Sequence, residues 1–136
     1  AIYTVLIGVS IFVLGQIVLY FFIKPIISLK EEIGNITTSI VFYADMYTNP
    51  TNETYRKKLN LDTSNDLRMS ASRLISKANT VPLWTYAIFN LPPFENIIKA
   101  SKELIGLSNS LWDKTCVLDN QKRRDKIEIL LRIVTE

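Results

Sequence analysis

Residues 1–23 (AIYTVLIGVSIFVLGQIVLYFFI) form one uninterrupted apolar run without a charged position. As a helix rising 1.5 Å per residue, the run is about 35 Å long, enough to cross a hydrocarbon core of about 30 Å. The pattern predicts a transmembrane helix. A cleaved signal peptide fits less well, because no basic region opens the run and no small-residue cleavage site precedes Lys24. Tyr3 and Tyr20 fall near the two ends, where amphipathic rings favour the membrane interface. Lys24 and Lys30 follow the run and nothing basic precedes it, so the positive-inside rule places the rest of the chain in the cytoplasm. For a bacterial protein this means a single pass of the inner membrane.

Beyond Pro25 the pattern changes. Ile26, Ile33, Ile40 and Tyr47 recur every seven residues, and Leu29, Ile36 and Tyr43 recur at the same period, offset by three. This is a heptad stripe over residues 24–48, and two readings stay open. One is a coiled coil between copies; the other is an amphipathic helix packed on its own domain. Ile at both stripe positions argues for more than two strands, so a homo-oligomer of three or more copies is expected, with a tetramer favoured. Carried back into the apolar run, the register collects Val5, Phe12 and Leu19 on one row and Gly8, Gly15 and Phe22 on the other. Two glycines on one stripe let helix backbones approach closely in lipid. Gln16 lies beside the stripe, and an amide there needs a partner or water. Val5, Gly8, Phe12, Gly15, Gln16, Leu19 and Phe22 are thus the candidate self-association surface, and the lining if the assembly conducts.

Asn49-Pro50 should stop this helix, and residues 49–66 read as a polar loop with one helical turn near Tyr55. A helical domain over 67–136 is expected to follow. Ser64, Asn65 or Asp66 would cap a helix whose apolar face is Leu67, Ala71, Leu74, Ile75 and Ala78, with Ser70, Arg73 and Lys77 opposite. A short buried helix follows Pro82. Pro92-Pro93 opens another helix, with Phe94, Ile97, Ile98, Ser101, Leu104, Ile105, Ser108, Leu111 and Trp112 at helical spacing. Gly106 inside it predicts a close neighbour. A last helix over 120–135 should bury Ile127, Leu130, Leu131 and Val134. No segment alternates at period two, so the fold class is all-α.

Composition narrows the chemistry. There is no histidine and one cysteine, Cys116. A Ser–His triad, a zinc site and an internal disulfide are therefore excluded. The four glycines form no phosphate loop. Ser101-Lys102 and Ser76-Lys77 are simplest as solvated helix faces. No enzyme and no cofactor is expected.

The formal net charge of +3 lies wholly outside the apolar run. Basic residues cluster at Arg56, Lys57 and Lys58, at Arg68, Arg73 and Lys77, and at Lys122, Arg123, Arg124 and Lys126. Tyr55, Trp84, Tyr86 and Trp112 could add stacking platforms of the kind that single-stranded nucleic acid binding uses. Basic helix faces are also ordinary solvated surface, and Trp112 is simpler as core. Cations near a helix start oppose its dipole, which points weakly to an anionic partner.

The stretches Ile33-Gly34-Asn35, Phe42-Tyr43-Ala44-Asp45-Met46-Tyr47-Thr48-Asn49-Pro50 and Ala100-Ser101-Lys102-Glu103-Leu104-Ile105-Gly106-Leu107-Ser108-Asn109-Ser110-Leu111 resemble a widespread group of small bacterial proteins. These have one N-terminal membrane helix and a helical cytoplasmic domain. Within that group the chain is similar to the membrane effectors of Hailong-type anti-phage defence. The resemblance implies an oligomeric channel held shut by single-stranded DNA oligomers, which a partner nucleotidyltransferase makes. It assigns no ligand-binding residue individually. A non-conducting membrane scaffold or immunity-type protein, and a single-span toxin, are the rival expectations.

Overall fold

The computed structural model describes residues 1–135 and is all-helical. Helix α1 (Ile2–Val18) runs through a π turn (Leu19–Ile23) into α2 (Lys24–Phe42) without a break. The continuous helix Ile2–Phe42 is 41 residues long, and among the described residues it alone is long and apolar enough to cross a membrane. No residue of α1 is buried.

The π turn has a covalent cause. Pro25 has no N–H, so the Phe21 carbonyl loses its usual donor four residues on. The Lys24 N–H reaches back five residues to the Leu19 carbonyl instead. Such a turn takes in about one extra residue, roughly 100° of rotation about the helix axis. The sevenfold register of α2 is therefore not carried straight into α1. The row Val5, Phe12 and Leu19, expected to continue the row of Ile26 and Ile33, is rotated away from it by the turn.

In α2 the stripe residues Ile26, Leu29, Ile33, Ile36 and Ile40 are all buried in the core of their own chain. The structure thus decides between the two readings of the heptad. It is an intrachain packing face, not a free coiled-coil seam. Tyr43 breaks the helix, and α3 (Ala44–Thr48) adds buried Met46 and Tyr47. Asn49 leaves helical geometry ahead of Pro50, as a residue before proline prefers.

Helix α4 spans Lys57–Thr80, so the segment expected as loop up to residue 66 is mostly helix. Its turn-forming residues have better partners in the fold. Asn60 Nδ2 donates to the Thr51 carbonyl at 2.8 Å, and the Thr63 hydroxyl bonds back to the Leu59 carbonyl at 2.8 Å. These bonds occupy the Asn60 amide donor and the Thr63 hydroxyl, groups that would otherwise compete for the backbone. Ser70 is buried rather than facing solvent. Residues 81–93 form an elbow containing α5 (Thr85–Ile88). The elbow is closed by the Tyr86 hydroxyl donating to the Ala78 carbonyl at 2.8 Å. Asn90 takes a left-handed φ of 51°, a conformation asparagine tolerates.

Helix α6 (Phe94–Asn109) buries Ile97, Ala100, Ser101, Leu104, Leu107 and Ser108. Trp112, just beyond it, is half-buried. A Cβ at Gly106 would collide with the Arg123 guanidinium, which supplies the close neighbour expected there. Helix α7 (Val117–Leu131) starts earlier than predicted and ends at Arg132, whose φ is 56°. Ile127 and Leu131 join the core and Leu130 packs partly on it, but Val134 lies past the helix end and is 79% exposed.

Helices α2, α4, α6 and α7 run alternately up and down. Contacts between early residues of one and late residues of the next set this order: Glu32 with Lys77, Tyr43 with Asp66, Arg68 with Ser108, and Ser110 with Asn120. Asn120, fully buried, ties the top of the bundle together by donating to the Tyr47 carbonyl at 2.9 Å.

The Tyr43 hydroxyl donates to the Asp66 carboxylate, which pushes the phenol pKa up to about 12, with burial adding to the shift. A pKa raised on folding contributes stability in full below the unfolded value, near pH 10. That stability is lost as pH climbs from about 10 to about 12. Tyr43→Phe should flatten this part of the alkaline melting profile. An unchanged slope between those pH values would show that the bond does not persist in solution.

Candidate functional site

Two surfaces collect the residues singled out by the sequence. The first is α1. Val5 and Phe12 are exposed, and nothing approaches a Cβ placed at Gly8 or Gly15. Gln16 and Leu19 are half-buried. Phe22 differs from the rest: its ring meets the Trp84 ring of the elbow, centroids 5.5 Å apart. It is half-buried and partly engaged by its own chain. Just beyond, Lys24 Nζ sits 3.8 Å over the Tyr20 ring, a cation–π contact at the end of the apolar run.

The second surface is the set of basic residues, which the fold does not bring together. Six of the nine candidates are committed internally. Arg56 donates to the Asn49 carbonyl at 2.9 Å and pairs with Asp45 at 3.5 Å. Arg68 donates to Ser108 and Asn109. Arg73 and Lys77 both grip Glu32, at 3.2 and 3.3 Å. Arg123 pairs with Glu103 at 2.8 Å and Arg124 with Glu128 at 2.9 Å. Lys57, Lys58 and Lys122 are exposed and have no partner among the described residues. The cluster 122–126 lies within α7 rather than at its start, so the dipole hint from the sequence falls away.

One polar cleft of about 340 Å³ lies at the end of the bundle away from α1. Asn49, Thr51, Tyr55, Arg56 and Lys114 line it, and the Lys114 ammonium stands 3.7 Å from Glu53. Lys57 and Lys58 adjoin it in sequence at the start of α4. The cleft thus sets an exposed aromatic ring beside two cations, each already paired with a carboxylate, Arg56 with Asp45 and Lys114 with Glu53, which itself lines the cleft. Among the described residues no group of three or more His, Cys, Asp or Glu side chains could hold a metal ion.

The residue that sequence reasoning missed is Glu32. It sits next to the apolar stripe, is 1% exposed, and is the only buried carboxylate among the described residues. A buried acid needs paired charge, and Arg73 and Lys77, one turn apart on α4, supply two cations. The available signal was the spacing of those two cations, four apart on one helix face.

The fold and these surfaces define an all-α protein with one helix long and apolar enough to cross a bilayer, continuous with a helical bundle. No protein-family model, curated protein or solved structure matches the chain.

Proposed function

We propose that the protein is an oligomeric membrane channel, an effector of the bacterial anti-phage kind, gated by an anionic ligand on its cytoplasmic domain. In this reading α1 crosses the inner membrane, the bundle lies in the cytoplasm, and at least three copies, four favoured, assemble through α1. The resemblance supplies single-stranded DNA oligomers as the ligand class and a nucleotidyltransferase as their source.

The observation that carries the reading is the contrast along the helix Ile2–Phe42. Its second half spends its apolar stripe inside the chain, whereas its first half touches almost nothing. In lipid, small residues such as Gly8 and Gly15 favour helix–helix contact, and the Gln16 amide gains from pairing between copies. A ring of such helices with Val5, Phe12 and Leu19 inward would make an apolar constriction, which gates by dewetting. Because α1 and α2 are joined through the π turn without a break, a rotation of the bundle about the helix axis reaches that constriction, while the turn can absorb tilt. A ligand shifts the gate only by binding one arrangement more tightly than the other.

Lys57, Lys58 and Lys122 are the first contacts for such a ligand, with the cleft at Tyr55, Arg56 and Lys114 beside the first two. Reversal of Arg73 or Arg123 would also break bundle ion pairs, so Lys57→Glu and Lys58→Glu are the cleaner probes. Each should weaken oligonucleotide binding and lower the salt slope by about 0.7.

The deciding measurement is mass by light scattering of detergent-purified protein, with absorbance at two wavelengths before and after nuclease. A trimer or larger that carries nuclease-sensitive material supports the channel. Bilayer currents lost in Gly15→Leu would then locate the pore. A monomer or dimer with protein-like absorbance rejects it. One observation favours a second reading, a non-conducting membrane scaffold that binds a protein partner. Six of the nine candidate anion-binding residues are spent on internal bonds.

A further inference from the structure

The elbow at residues 81–93 is built unlike the rest of the bundle surface. No charged residue occurs between Lys77 and Glu95. Within this stretch Val81, Tyr86 and Leu91 turn into the core, while Leu83, Trp84, Ile88 and Phe89 stay outside. Leu83 and Ile88 are 69% and 67% exposed, a large apolar outlay for one short connection. The backbone is closed by its own bonds, Thr85 N–H to the Pro82 carbonyl and Leu91 N–H to the Tyr86 carbonyl. The exposed side chains therefore sit on an ordered turn.

Its place in the fold names what covers it. The Trp84 ring packs at a tilt against Phe22, which belongs to the last turn of the apolar run. The apolar outer surface of α1 thus continues, ring against ring, onto the elbow. On the flank of the elbow, Lys30 and Arg132 share a cleft with Asn90, Leu91 and Pro92, and Arg132 donates to the Asn90 side chain at 2.8 Å. Cations beside exposed rings and aliphatic groups are the composition that membrane interfaces select, with apolar groups below the headgroups and amines among the phosphates.

We propose that the elbow, through Leu83, Trp84, Ile88 and Phe89, is a second membrane contact that dips into the interfacial layer of the same leaflet from which α1 emerges. The bundle is then held against the bilayer at two points instead of swinging from one. This rests on α1 crossing the membrane, but not on conduction or on any ligand.

The test uses the full chain with Cys116→Ser, reconstituted in vesicles of phosphatidylethanolamine and phosphatidylglycerol. Single cysteines replace Ile88, Leu83, Ile11 and Leu118 in turn and carry a nitroxide. Relaxation by oxygen, which concentrates in lipid, is compared with relaxation by a water-soluble nickel chelate. Labels at 83 and 88 should favour oxygen, as at Ile11, while the exposed Leu118 near the start of α7 should favour nickel. Nickel-favoured relaxation at 83 and 88 with oxygen-favoured relaxation at 11 overturns the elbow contact alone. Nickel-favoured relaxation at 11 as well overturns the membrane reading of α1. Low accessibility to both agents at 83 and 88 means that another protein chain covers the elbow, which also overturns the proposal. Should the labels disturb folding, Trp84 in Trp112→Phe gives an independent readout. Brominated lipid should quench it and aqueous iodide should not; the reverse rejects the contact.

Discussion

Ile36→Ala should lower the stability of the bundle by about 3 kcal/mol, within the usual 2–5 kcal/mol for emptying a buried aliphatic site. For a domain of this size that is a fall in melting temperature of roughly 15 °C. Ile36 is fully buried in the middle of the α2 stripe, walled by its own chain. The loss should therefore be the same at every protein concentration. A seam between copies behaves differently, because its melting temperature rises with concentration by mass action. Melts of the variant and the parent, followed by circular dichroism in detergent over a wide concentration range, separate the two. A deficit that shrinks as concentration rises would return the stripe to an interface between copies.

The second large effect concerns Glu32 and should be asymmetric. The carboxylate is 1% exposed, whereas the side chains of Arg73 and Lys77 are 47% and 30% exposed. Removing the acid leaves two cations that can turn to water. Glu32→Gln should cost about 1–2 kcal/mol, because an amide can keep part of the hydrogen bonding. Removing both cations, Arg73→Ala with Lys77→Ala, strands a buried carboxylate and should cost about 3–5 kcal/mol. The triple variant with Glu32→Leu should recover part of that loss, since an apolar side chain of similar size is comfortable there. Equal costs for the two directions would mean that water reaches Glu32.

These two sites also show what the sequence could and could not disclose. The apolar run and α6 were legible because one rests on the absence of charge and the other on a sustained helical period opened by Pro92-Pro93. The stripe of α2 was visible, but its partner was not. A coiled-coil seam and an intrachain face use the same spacing, and only the return of α4 against it decides between them. The start of α4 was hidden because Asn60, Thr63 and Ser64 favour turns in isolation. The Asn60 amide finds its acceptors outside the helix, at the Thr51 and Leu111 carbonyls, and the Thr63 hydroxyl bonds back to Leu59. The candidate ligand residues were the least legible. Charged side chains read as free until their counter-ions are seen, and Glu32 lies 41 residues from Arg73. Arg56, Arg123 and Arg124 are likewise paired, with Asp45, Glu103 and Glu128, while Lys57, Lys58 and Lys122 have no partner among the described residues.

The π turn at Leu19–Ile23 bears on how such a protein would sit in membranes of different thickness. An apolar helix longer than the local hydrocarbon layer relieves the mismatch by tilting, and a rigid rod would lift or drag its bundle as it did so. A helix that already lacks one backbone bond at Pro25 bends there at less cost than elsewhere. The apolar rod can lean as the bilayer thins while the bundle keeps its attitude at the surface. With α1 crossing a bilayer as proposed, bilayer thickness would act as an input at the base of the helix, separate from any ligand.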